Sequence, residues 1–207
     1  MAAATSTVFR GTTFENRSLT ILKDAFGMAL RRVGGKNDGG VDLVGWWGLP
    51  TATPGTTTSR LRVVAQCKAE KKKFSPRYVR EMEGVAWRYG SIPPEESEAA
   101  APPIPWPDDD HNTGPLIALL LSESTFTKAT LLRAQSSPVP FMLAHILNEE
   151  EMKDMDAPIA GITWNIALRN LMQGYELRWE VGGSAPDVQD RPSLWHEGQR
   201  VVVGAEE

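Results

Sequence analysis

Apolar residues recur at helical spacing from Phe14 onward, with Leu19, Leu22, Phe26, Ala29, Leu30 and Val33 continuing the stripe. The spacing predicts a helix over residues 12–32. Thr12 with Glu15 three positions later has the form of a capping box, and Gly34 and Gly35 are placed to stop the helix. The pattern then changes. Residues 41–47 read as a strand entered through the glycine-rich turn GGKNDGG, and residues 60–68 as a second strand beyond the turn-rich LPTATPGTTTS. Strands joined in this way predict an antiparallel hairpin. Helical spacing returns at Ser75-Pro76, a hydroxyl cap followed by proline in the first turn, with Val79, Met82, Val85 or Ala86, and Tyr89 on the apolar face. Residues 115–121 are continuously apolar, as in a strand covered on both faces. A helix is expected within SESTFTKATLLRAQ, a strand in VPFMLAHIL, a helix over 162–172 and terminal strands over 175–181 and 200–203. This order predicts an α/β domain with one mixed sheet flanked by helices.

The 207 residues suit one domain, assigned to residues 8–181 with a C-terminal extension over 182–207. Residues 91–113 interrupt it with six prolines and six acids and read as a flexible surface insertion that includes Trp106. Apolar content of 41% fills a core, and no apolar run approaches a membrane span. The single cysteine, Cys67, excludes a disulfide framework and suits a reduced compartment. The N-terminus is not a convincing targeting peptide. A net charge of −4 does not advertise nucleic acid, but the charges are segregated. Residues 60–88 hold nine Lys/Arg against three acids, a local excess of six positive charges.

The second strand breaks its own pattern. VVAQCK begins as a buried strand and then sets Gln66 and Lys68 on one face, with Ala65 and Cys67 on the other. Across a hairpin, Asp42 in the first strand meets that polar face. A carboxylate, an amide oxygen and a lysine at one sheet edge suit a hard cation such as Mg²⁺, which keeps waters for a substrate phosphate. Such an ion acidifies bound water and neutralises charge on the phosphate. Asp38 is the competing acid, but it precedes two glycines and reads as a turn residue.

Asp42 followed by Gln66-Cys67-Lys68, with Phe14-Glu15 upstream, resembles the PD-(D/E)xK nuclease superfamily in its Mrr-like branch, which often carries Gln where other members carry an acid. LLLSESTFTKA resembles that branch's later strand and hydroxyl-rich cap. FRGTTFE and LRRVGGKNDGGVDLVGWWG are also similar to a fungal mitochondrial family required for respiratory growth, itself assigned to this superfamily. The resemblance runs over residues 8–147. It implies a restriction-endonuclease-like fold, Mg²⁺- or Mn²⁺-dependent hydrolysis of DNA phosphodiester bonds, and a mitochondrial role in maintaining organelle DNA. Asp42 would be the main metal ligand, Gln66 the second ligand, Lys68 the catalytic lysine and Glu15 an auxiliary acid near the metal. RNA as substrate and a homodimer as assembly stay open.

Lys71, Lys72 and Lys73, with Arg77 and Arg80 on the next helix, are candidate phosphate contacts, which position nucleic acid without reading sequence. Plainer roles stand beside each of these. Glu15 closes a capping box, Asp42 bonds the turn backbone, Gln66 and Lys68 protect a strand edge, and the lysine run is a solvated face. Ser122, Ser124 and Thr125 read as helix caps, Cys67 as a core thiol, and Trp46, Trp47, Trp87 and Trp164 as packing. The rival function is a catalytically silent nucleic-acid-binding or scaffold protein, which the uncharged Gln66 and the acidic overall charge favour.

Overall fold

Gly27 ends the first helix well before the apolar stripe does. The computed structural model describes residues 7–33, 39–50, 57–90, 114–153, 158–180 and 191–201. Helix α1 (Thr7–Phe26) stops where Gly27 takes φ +68° and donates its N–H to Lys23 O at 2.8 Å. Only glycine adopts that angle without a Cβ penalty. Ala29 and Leu30 therefore leave the helix and enter strand β1 (Met28–Arg32). The helix expected over 12–32 is corrected at both ends, and the expected stop at Gly34 and Gly35 lies outside the described residues. Thr12 and Glu15 sit inside α1, so they form no capping box. The stripe misled because Met28 and Leu30, two apart, face the same core as Phe26. Five residues are too few to separate a period of two from one of 3.6.

Strand β2 (Leu43–Pro50) and strand β3 (Thr57–Lys68) form the expected antiparallel hairpin. Strand β1 pairs antiparallel on the other side of β2, with Leu30 opposite Gly45. Gly45 has φ +155°, and a Cβ there would lie 2.1 Å from Ala29 O. Gly45→Ala is expected to destabilise the fold by more than about 1 kcal/mol, because both the angle and the space belong to glycine. A denaturant midpoint equal to wild type would show that β1 is not held this closely. Trp47 is fully buried and hooks α1 to the sheet by donating its indole N–H to Phe26 O at 2.8 Å.

Helix α2 (Pro76–Gly90) starts where expected and buries Val79, Met82, Ala86 and Tyr89. It leads, through residues outside the described set that include the insertion over 91–113 and Trp106, to strand β4 (Leu116–Ser122). Helix α3 (Lys128–Gln135) and strand β5 (Phe141–Ile146) follow. The cap of α3 is Thr127, whose hydroxyl accepts from Thr130 N–H, rather than Ser122, Ser124 or Thr125. Strands β3, β4 and β5 are parallel neighbours.

The helix expected over 162–172 divides. Strand β6 (Ile159–Trp164) pairs antiparallel with β5, and α4 (Ile166–Leu171) is short. Asn165 makes the switch. Its side-chain oxygen accepts from Leu168 N–H and Phe141 N–H, while its amide nitrogen donates to Ala134 O, Ser137 O and Val139 O. The finished sheet runs β1-β2-β3-β4-β5-β6. One face packs on α1 through Phe14, Leu22, Phe26, Ala65 and Leu119, the other on α2 and α3 through Val64, Ala118, Leu120, Val79 and Met82. The expected mixed α/β sheet flanked by helices is what forms.

A second sheet joins strand β7 (Tyr175–Glu180), strand β8 (Arg191–His196) and strand β9 (Gln199–Arg200). Strand β8 was not anticipated. Its Leu194, with Val201, enters the core on the α1 side. The expected strand over 200–203 reduces to its first residue in β9, Val201 follows outside the strand, and residues 202–203 lie outside the described set.

Candidate functional site

The parallel strands end together, with Lys68 of β3 opposite Ser122 of β4 and Ser122 opposite His145 of β5. In open α/β sheets ligands bind beyond these carboxyl ends. Asp42 lies one residue before β2, where the hairpin opens. Its N–H donates to Ala65 O at 2.9 Å and its carbonyl accepts from Val33 N–H at 2.8 Å. Its carboxylate Oδ2 accepts from Cys67 N–H at 2.6 Å, a charge-assisted bond that lays the acid against β3 between Gln66 and Lys68. The structural role anticipated for this acid is thus partly realised, with the bond going to the strand rather than to the turn.

Gln66 is 5% exposed. Its Oε1 is buried and has no hydrogen-bond partner among the described residues. Its Nε2 lies beside Gly40, where a Cβ would stand 3.4 Å away, next to Val85 of α2. An orphaned buried carbonyl is costly. Beside a carboxylate it is a donor suited to a hard cation. Lys68, half-buried, holds its Nζ 5.2 Å from the Tyr78 ring centroid. Tyr78 was not singled out from the sequence, although its position three residues into α2 sets it over the strand end. Its hydroxyl donates to the Glu70 carboxylate at 3.2 Å, and burial, then Glu70, push its phenol pKa up.

Glu15 comes from α1 and is held by Arg32 of β1, whose Nε donates to Oε2 at 2.6 Å. The two acids and the lysine still converge electrostatically. Burial pushes the Cys67 thiol well up, Asp42 and then Glu15 add to it, and Lys68 opposes. Cys67 packs on the α1 side of the sheet, as expected of a core thiol, whereas Gln66 and Lys68 alternate to the other. Asp42, Gln66 and Lys68 therefore gather at the opening of the hairpin, with Glu15 approaching from the α1 side. No group of three or more His, Cys, Asp or Glu able to hold a metal occurs among the described residues. The donor set on offer is Asp42 with the amide oxygen of Gln66.

The lysine loop follows directly. Lys71, Lys72, Lys73, Arg77 and Arg80 are all exposed. Arg77 is taken by Glu81 at 2.6 Å, which raises its pKa, so its charge is already partly answered. Ser124 Oγ donates to Lys72 O at 2.7 Å, and Phe74 N–H donates to Thr125 O at 3.2 Å. The hydroxyl-rich segment after β4 thus anchors the basic loop beside Lys68.

A cluster that sequence reading missed lies on the same edge. Glu123 donates its N–H to Lys68 O at 3.1 Å, and its carboxylate accepts from Arg10 at 2.7 Å and Arg17 at 2.8 Å, both on α1. His145 Nε2 lies 3.3 Å from Glu123 O. Partners more than a hundred residues apart leave no local signal.

The family model described as "Required for respiratory growth protein 7" matches residues 6–59 and 52–96. These stretches run through α1, the hairpin, the lysine loop and α2. An uncharacterized mitochondrial protein of Schizosaccharomyces pombe is 42% identical over 87 residues, covering 42% of this chain and 33% of that protein. The chain spans about a third of the length of this curated relative. No solved structure matches. The relative's mitochondrial designation agrees with the location expected from the sequence resemblance. Over residues 6–96 the chain is similar to the Required for respiratory growth protein 7 family.

Proposed function

We propose that this protein is a metal-dependent nuclease of restriction-endonuclease-like fold that hydrolyses DNA phosphodiester bonds in mitochondria, where it maintains the organelle's DNA. The observation that carries the reading is the buried, unpartnered Oε1 of Gln66, on the strand next to Cys67, whose N–H holds the Asp42 carboxylate. Asp42 and Gln66 would hold Mg²⁺ or Mn²⁺. When bound, the ion acidifies water and neutralises charge on the phosphate.

The chain's own residues supply the rest. Lys68, confined by the Tyr78 ring, orients the attacking water and stabilises negative charge on the phosphoryl oxygens. Water adds to phosphorus as the bond to the leaving sugar oxygen breaks. Glu15, approaching from the α1 side, would have to offset the missing charge at position 66 in competition with its pairing to Arg32. Lys71, Lys72, Lys73 and Arg80 bind the nucleic-acid backbone. Labelled single-stranded, duplex and branched DNA, and RNA of the same forms, incubated with Mg²⁺ or Mn²⁺, test the reading. Cutting that stops on chelation, with a metal-dependent rise in thermal midpoint that Asp42→Ala removes, is the expected result.

A second reading, a silent nucleic-acid-binding or scaffold protein, is favoured by the Arg32–Glu15 pair and by the lack of a three-carboxylate cluster among the described residues. Nucleic-acid binding without cutting or metal-dependent stabilisation would decide for it.

A further inference from the structure

Trp87 was expected to pack, yet it is 76% exposed, while Trp46, Trp47 and Trp164 are all buried. Its surroundings on α2 are specific. The buried residues Val79, Met82, Ala86 and Tyr89 define the face toward the sheet. At 100° per residue, Arg77, Arg80, Gly84, Trp87 and Arg88 lie on the opposite face, and each is exposed. Arg77 to Trp87 spans about 15 Å along the axis. The acid on this face, Glu81, is engaged with Arg77, and the next acid, Glu83, is engaged with Arg133 of α3.

Gly84 sits at the centre of this face. A Cβ added there would meet nothing within 4 Å. Neither backbone angle nor packing calls for glycine, and glycine weakens a helix interior relative to alanine. What it leaves is a bare strip of helix between Arg80, Trp87 and Arg88, where a polymer backbone can approach closely. The stripe continues at the N-terminus of α2 into Lys71–Lys73 and so toward Lys68.

We propose that the outer face of α2 is a binding track for single-stranded DNA, with Trp87 as the platform on which an unpaired base stacks and with Arg80 and Arg88 on the flanking phosphates. This deepens the nuclease reading and rests on it: it names the substrate form as DNA with an unpaired segment leading to the site. An exposed indole between arginines, on a basic helix face, matches the combination by which proteins hold single strands without reading sequence. Bases in a duplex keep their faces stacked and offer an indole nothing.

The test is fluorescence anisotropy with fluorescein-labelled 20-nucleotide oligo-dT, oligo-rU and a 20-base-pair duplex, in chelator so that nothing is cut. Wild type should hold oligo-dT more tightly than the duplex. Trp87→Ala should weaken oligo-dT about tenfold, leave the duplex unchanged, and be largely rescued by Trp87→Phe. Gly84→Ala should raise the thermal midpoint while weakening oligo-dT several-fold, an opposition that a folding defect cannot produce. If Trp87→Ala stays within twofold of wild type while replacing Lys71, Lys72 and Lys73 by alanine abolishes binding, the track is overturned and the nucleic-acid reading stands. Tighter binding of duplex or of oligo-rU overturns single-stranded DNA as the occupant. Binding of none of the three overturns both readings.

Discussion

On the proposed nuclease reading, Lys68→Ala is expected to lower metal-dependent cleavage by roughly a hundredfold to a thousandfold while leaving the fold intact. Lys68 is half-buried at the end of β3, on the face it shares with Gln66, and its ammonium rests against the Tyr78 ring rather than a carboxylate. Removing it strands no buried ion partner among the described residues, so the thermal midpoint should move little. The proposed chemistry would lose the positive charge at the strand end and with it the group assigned to orient the attacking water. Lys68→Arg should rescue poorly, because a planar fork replaces a compact point charge under the same ring. Single-turnover cleavage beside a thermal melt separates the two effects. Cutting at the wild-type rate in the alanine variant would remove Lys68 from the mechanism.

Glu123→Ala has the opposite signature, a loss of stability of about 3 kcal/mol. The Glu123 side chain is 6% exposed and joins two arginines of α1 to the end of β4. Without it Arg10, 37% exposed, swings into water at little cost. Arg17 is 15% exposed and its Nε is already buried without a partner, so it remains as an unanswered charge. Glu123→Gln preserves the shape and one of the two acceptor oxygens, and should lose less. Because α1 carries Glu15 and the Glu123 N–H holds Lys68 O, the alanine variant should also loosen the candidate site. A denaturant midpoint unchanged in Glu123→Ala would mean that solvent screens the cluster.

Local chemistry alone determined a large part of this molecule. Ser75-Pro76 starts α2 and its buried residues repeat every three to four positions, because capping and amphipathic spacing act within one turn. The continuous apolar run of β4 announces a strand buried on both faces, and it lies at the middle of the sheet. The alternation that puts Gln66 and Lys68 on one face follows from the period of a strand, and the hairpin brings Asp42 to them. Tertiary packing decided the rest. It drew Ala29 and Leu30 out of a helical stripe into an edge strand, since β2 offered ladder partners that a helix would have left unpaired. It split the last expected helix at Asn165, whose side chain bonds five backbone groups, four of them in segments distant in sequence. It assembled Glu123 with Arg10 and Arg17, and it left Trp87 in solvent while burying Trp46, Trp47 and Trp164. Spacing reports the face on which a residue lies. Whether that face meets a core, a distant charge or water depends on which elements pack against it, and that is a property of the whole fold.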